Sequence, residues 1–173
     1  MCRLEVKETG MLAQDVMHLR SPMKIQAISP DDEQVKRMIA QSDELMASLY
    51  PPESNHMEAS EELKKPNVLF VGAHRGEALV GCGAVKIITD DGTYGEIKRV
   101  FVSPEHRGEG ISIAIMNYLE NHLLKTEVKF ARLETGVKQI AALVLYRKLG
   151  YVERSPFGSY REDPLSIFME KEL

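Results

Sequence analysis

The chain has 173 residues and a mass of 19.5 kDa, a size that suits one domain. Hydrophobic residues at 43% and charged residues at 28% exclude an intrinsically disordered chain, and no apolar run approaches the ~18 residues of a membrane span. A net charge of −4 and a pI near 5.8 argue against nucleic-acid binding, which calls for a basic face.

Cys2 and Cys82 are too few for a disulfide framework or a metal cluster, and no metal is expected. Cys82 lies in an apolar run and reads as a small core residue. Residues 1–22 carry no clear pattern. They read as an extension before a domain over 23–173, from an upstream start or an added arm, or else as an ordinary first helix around 11–19. They lack the basic start, apolar centre and cleavage site of a signal peptide, so the expected location is the cytoplasm.

An opening strand is predicted over 23–28. Ser29-Pro30-Asp31-Asp32 then starts a helix: serine caps free N–H groups, proline suits the first turn, and acids favour the positive end of the dipole. Val35, Met38, Ile39, Leu45, Met46 and Leu49 recur at helical spacing until Pro51-Pro52 stops them. A short helix is expected over 59–65. Strands over 68–73 and 79–89 flank the turn His74-Arg75-Gly76-Glu77 and form a hairpin. Asp90-Asp91-Gly92 turns into a strand over 94–102.

A helix over 111–125 follows, with Ile111, Ile115, Leu119 and Leu123 on one face. A strand over 128–135, a helix over 139–149 ended by Gly150, and strands over 151–153 and 165–171 close the chain. A strand–helix–strand crossover makes its two strands parallel, whereas the earlier hairpins are antiparallel. The expected class is therefore α+β, a single domain with a mixed sheet flanked by helices.

The most informative stretch is Val100-Phe101-Val102-Ser103-Pro104-Glu105-His106-Arg107-Gly108-Glu109-Gly110-Ile111-Ser112. A strand enters a glycine-bearing turn that opens onto a helix. Glycines let backbone N–H groups converge, and the helix start adds free donors and positive potential, so the loop can hold a phosphate. It is no Walker A loop, because no Gly-Lys-Ser/Thr follows, and Ile113 occupies the third glycine position of a Rossmann fingerprint. Taken alone, the pattern is a weak signal and reads first as a tight strand-to-helix turn.

Arg107-Gly108-Glu109-Gly110-Ile111-Ser112 resembles the R/Q-x-x-G-x-G/A signature of the GCN5-related N-acetyltransferase (GNAT) family, with Ser112 in place of the usual Gly or Ala. The strand Val100-Phe101-Val102 and the later run Leu145 to Tyr151 are also similar to family segments. The likeness extends over 23–173 and looks like a bacterial branch of the family. It implies the GNAT fold and acetyl-CoA as cosubstrate. The pyrophosphate would lie on the amides of Arg107, Gly108, Glu109, Gly110, Ile111 and Ser112, and the pantetheine beside Val100, Phe101 and Val102. Gln139 stands where many relatives carry a cofactor-contacting asparagine.

The implied reaction is attack of an amine on a thioester. Tyr146 stands where the family often carries the acid for the leaving thiolate, and otherwise reads as a tyrosine packed on its helix face. Glu134 and Glu96 are the candidate bases, or else polar residues on a strand face. Alternation puts Glu96, Lys98, Val100 and Val102 on one face. His106 reads as a loop surface residue. The segments 51–56 and 155–164 are the expected acceptor walls. The expected partner is a small-molecule amine, with no nucleic acid and no membrane, and a homodimer is one assembly open to the chain. A protein or peptide amine acceptor, or an acyl-CoA-binding module without catalysis, are the competing functions.

Overall fold

The computed structural model describes residues 21–54, 59–89 and 92–173, so the extension expected over 1–22 lies outside them except for Ser21 and Pro22. Within that range the strands are β1 (Met23–Ala27), β2 (Val68–Arg75), β3 (Ala78–Ile88), β4 (Tyr94–Val102), β5 (Phe130–Gly136), β6 (Val152–Arg154) and β7 (Ser166–Glu172). The helices are α1 (Glu33–Leu49), α2 (Ile111–Lys125) and α3 (Ile140–Lys148). One mixed sheet takes the order β1-β2-β3-β4-β5-β7-β6. Only β4 and β5, joined through α2, run parallel; each other neighbouring pair is antiparallel. The expected α+β class and mixed sheet are present.

Local chemistry sets the ends of these elements with small departures from expectation. α1 is capped by Asp32 rather than Ser29: its carboxylate accepts from the N–H groups of Gln34 and Val35. Ser29 instead accepts from Asp31 within the preceding turn. The short helix near 59–65 is only a 3₁₀ turn, Glu62–Lys64.

Helices cover both faces of the sheet. Ile111, Ile115, Leu119 and Leu123 of α2 are fully buried against Val85, Ile97, Leu133 and Met169. Each such side chain contributes about 1.5–3 kcal/mol by burial. Glycine lets this helix lie directly on the strands: a Cβ on Gly83 would come 2.5 Å from Ile115, and one on Gly95 2.4 Å from Leu123. Val35, Met38 and Ile39 of α1 pack instead with Phe70, Cys82 and Phe101.

One irregularity positions the site. Lys98 pairs with Ala84 and Phe101 with Cys82, so Arg99 and Val100 together face the single residue Gly83. Arg99 takes φ 57° at this bulge, the left-handed region that a non-glycine residue seldom enters. The extra residue breaks the alternation along β4. Val100 and Val102 pack into the α2-side core, while Glu96 and Lys98 bond to Tyr160. The expectation that these four share one face is therefore wrong, because alternation read from sequence cannot see a bulge. On the other side of β4, pairing with β5 spans only Gly95–Ile97 against Ala131–Leu133. Beyond Ile97 no β5 residue pairs with β4, and a cleft opens there.

Candidate active site

The cleft has a volume of about 700 Å³ and is walled by the C-terminal half of α1, the end of β4, the glycine loop, the end of β5 and the start of α3. Of the residues expected to bind a cofactor, Val100, Phe101, Val102, Arg107, Gly108, Gly110, Ile111, Ser112 and Gln139 line it. The Glu109 side chain does not. It turns back to accept from Arg75 Nε at 3.1 Å and lies 3.1 Å from His106 Nδ1. His106, expected on the surface, lines the cleft through that anchoring.

The loop is shaped by backbone conformation. Gly108 and Gly110 adopt φ 83° and 77°, and a Cβ at either would meet nothing within 4 Å. Glycine is needed there for the left-handed turn, not for space. Gly110 caps α2 without any side-chain bond, and the first intrahelical bond runs from Ala114 N–H to Gly110 C=O. The N–H groups of Gly108 to Ile113 find no acceptor among the described residues. Such a row of donors at the positive end of a helix is an anion site. Arg107 is held beside it, its Nε donating to the Val102 carbonyl at 3.3 Å and its guanidinium lying 5.9 Å from the centre of the Phe101 ring.

Glu134 of β5 also lines the cleft and accepts from Ser166 Oγ at 2.6 Å. Tyr146 of α3 also lines it. It is 7% exposed, and its hydroxyl makes no hydrogen bond to a described residue. Burial, and then the nearby Glu134 charge, push the Tyr146 phenol above its ordinary pKa. It therefore stays protonated through the neutral range.

Glu96 does not line the cleft. Its carboxylate accepts from Tyr160 Oη at 2.7 Å and from Lys98 Nζ at 3.1 Å, and Lys98 also donates to Tyr160 Oη at 2.8 Å. Glu96 is the buried counter-ion of Lys98, so of the two carboxylates expected as base Glu134 is the one that lines the cleft. Of the expected acceptor walls, Ser54 and Tyr160 reach the cleft, while 55–58 lie outside the described residues.

Sequence reading missed Tyr50. Its hydroxyl accepts the Lys138 N–H at 2.8 Å, and Lys138 Nζ donates to the Leu49 carbonyl at 2.7 Å. These bonds lock the end of α1 to the β5–α3 turn. Gly136 leaves room for them, since a Cβ there would lie 2.1 Å from the Tyr50 oxygen. Tyr50 lies one residue past the helical run and just before Pro51-Pro52, so nothing local marks it as more than a helix end.

A model of the Acetyltransferase (GNAT) family matches residues 35–151, from α1 through the glycine loop to the end of α3. The chain belongs to the GNAT acetyltransferase family. An IAA acetyltransferase of Azospirillum brasilense is 43% identical over 145 residues, covering 84% of this chain and 94% of its own length. The crystal structure of a Klebsiella pneumoniae protein described as an acyl-CoA N-acyltransferase superposes with a TM-score of 0.72 at 33% identity, over 87% of this chain and 97% of that one. The PaiA N-acetyltransferase of Thermoplasma acidophilum, crystallised with coenzyme A, shares the fold with a TM-score of 0.71 at 21% identity, over 88% and 99%. In this GNAT chain, then, the bare amides of the loop and the pair Glu134–Tyr146 line one cleft.

Proposed function

We propose that this enzyme transfers the acetyl group of acetyl-CoA to the amine of a small molecule, by direct attack of the amine on the thioester. The observation that carries the reading is the joining, in one cleft, of the unsatisfied amides of Gly108 to Ile113 with a carboxylate and a neutral phenol. The amides and the α2 dipole suit a pyrophosphate. The edge of β4 from Lys98 to Val102, left unpaired by β5, suits the extended arm of the cosubstrate.

Acetyl-CoA supplies an acyl group already activated as a thioester. The protein's tasks are to deprotonate the amine, hold the carbonyl as negative charge develops and support the leaving thiolate. An amine with a pKa near ~10 arrives largely protonated at neutral pH. Glu134, oriented by Ser166, takes that proton through a water. A new C–N bond forms, the C–S bond breaks, the nitrogen sheds its second proton to solvent, and the departing sulfur accepts a hydrogen bond from Tyr146. A phenol whose pKa lies above ~10 does not fully protonate a thiolate of pKa about 8.5, so Tyr146 acts through a bond that strengthens as sulfur gains charge.

The name of the Azospirillum relative points the same way, to a small acceptor. The test is release of free thiol from acetyl-CoA in the presence of a panel of small amines, with the products identified by mass spectrometry. Thiol release that depends on an amine and yields its N-acetyl derivative supports the reading. Tight coenzyme A binding with no turnover of any amine would leave a binding module instead.

A further inference from the structure

The pleat of β5 decides which wall of the cleft the acceptor meets. Ala131 and Leu133 pack into the cluster that holds α2 and α3. Glu134 alternates with them and so points to the other face of the sheet. Gly136, two residues on, shares that face, and a Cβ there would lie 2.1 Å from the Tyr50 oxygen at the end of α1. Tyr50 therefore stands one pleat along from Glu134, on the face that α1 covers. An amine that gives its proton to Glu134 has the C-terminal half of α1 as its neighbour.

That wall is apolar and open. Besides Ser42 and the locked Tyr50, α1 lines the cleft with Leu45, Met46 and Leu49. All three are partly exposed, and Met46 and Leu49 pack against no buried cluster among the described residues. The apolar spacing of the helix thus runs on past Ile39, its last buried aliphatic residue, into the cleft. Apolar surface held open in this way gains by being covered. The charges beside it are already matched within the fold: Lys98 by Glu96, Arg99 by Asp43, and Lys138 Nζ by the Leu49 carbonyl. A carboxylate on the acceptor would leave water for cations whose partners are in place, which is costly. An ammonium meets the opposite case, because Glu134 is the only carboxylate among the described residues that line the cleft.

We infer that the acceptor is a primary amine on an apolar body, alkyl or aryl and without a carboxylate, and that Leu45, Met46 and Leu49 hold that body while Glu134 faces the amine. The inference rests on the acetyl-transfer reading above and narrows its substrate class. Methionine suits the task, because its unbranched thioether fills irregular space and makes favourable contacts with rings. The body of the acceptor completes the apolar face that α1 leaves open beyond Ile39.

The experiment measures kcat/KM for n-propyl-, n-butyl-, n-pentyl- and n-hexylamine, and for 2-phenylethylamine beside phenylalanine, using acetyl-CoA and the full chain. Among the alkylamines kcat/KM is expected to rise about fourfold with each added methylene. Phenylalanine, the same body with a carboxylate, is expected to react at least about tenfold more slowly than 2-phenylethylamine. Met46→Ala is expected to flatten the rise by slowing hexylamine more than propylamine, with KM for acetyl-CoA unchanged. Leu49→Ala gives the same readout should Met46→Ala fail to fold. A flat alkylamine series, faster turnover of phenylalanine, or turnover confined to other amines would overturn the inference and leave the acetyl-transfer reading intact. Coenzyme A binding with turnover of no amine at all would overturn both.

Discussion

Ser166 Oγ donates to Glu134 Oε1 across 2.6 Å, linking the first residue of β7 to the carboxylate that β5 presents to the cleft. The pairing of Gly136 with Ser166 in the same ladder sets that distance. A general base must keep its direction, so Ser166→Ala should lower kcat by several-fold, roughly up to tenfold, and leave KM for acetyl-CoA unchanged. Glu134→Gln should cost more, and most at low pH. As pH rises toward the amine's own pKa of about 10, the substrate arrives neutral and the deficit should shrink. Matched pH–rate profiles of wild type and Glu134→Gln check this. Parallel profiles would remove Glu134 from the role.

Tyr146→Phe separates chemistry from folding. The hydroxyl bonds to no described residue, so its loss should leave thermal stability and coenzyme A affinity close to wild type. A hydrogen bond made in the transition state is worth on the order of 2–4 kcal/mol, and kcat should fall by roughly tens- to several hundredfold. The sign of the pKa shift adds a second check. Burial raises this phenol above its ordinary value, so its ionisation cannot curtail wild-type activity until pH exceeds about 10.

Gly110→Val tests the anion site. The added side chain meets open space, but valine does not tolerate φ 77°, and the turn must leave the left-handed region. The strain is about 1–2 kcal/mol, which a folded domain can absorb. The amides of the loop lose their convergence, and titration calorimetry should show coenzyme A affinity severely weakened. Unchanged affinity in the folded variant would detach the pyrophosphate from this loop.

Gly136→Ala probes the bond between Tyr50 and Lys138. A methyl group 2.1 Å from the Tyr50 oxygen must displace the ring and break the lock at the end of α1. Overpacking of this kind typically costs 1–3 kcal/mol, to be read from urea denaturation. A variant as stable as wild type would show that the α1 end is not held there.

Much of the fold was legible because its signals are local. The apolar spacing of Ile111, Ile115, Leu119 and Leu123 marks α2 at its observed bounds, and β4 likewise begins at Tyr94 and ends at Val102. The glycine loop could be read for the same reason, since strand, turn and helix start lie within a dozen residues. What escaped was set by contacts between distant parts of the chain. Glu96 looks like a free carboxylate until Tyr160, 64 residues later, folds over it. Tyr50 gains its partner 88 residues away, and Glu109 turns to Arg75 across 34. The bulge at Arg99 escaped because no glycine marks it and its evidence is the register against β3.

The central claim is that acetyl-CoA and an amine meet in this cleft and that the acetyl group passes between them. The most direct measurement follows thiol release and the mass of the amine product together, in one reaction containing acetyl-CoA and the panel of small amines. The account predicts one N-acetylated amine for each thiol released, with both signals depressed together in Glu134→Gln and Tyr146→Phe. Thiol released without an acetylated amine, or equal rates in wild type and both variants, would contradict it.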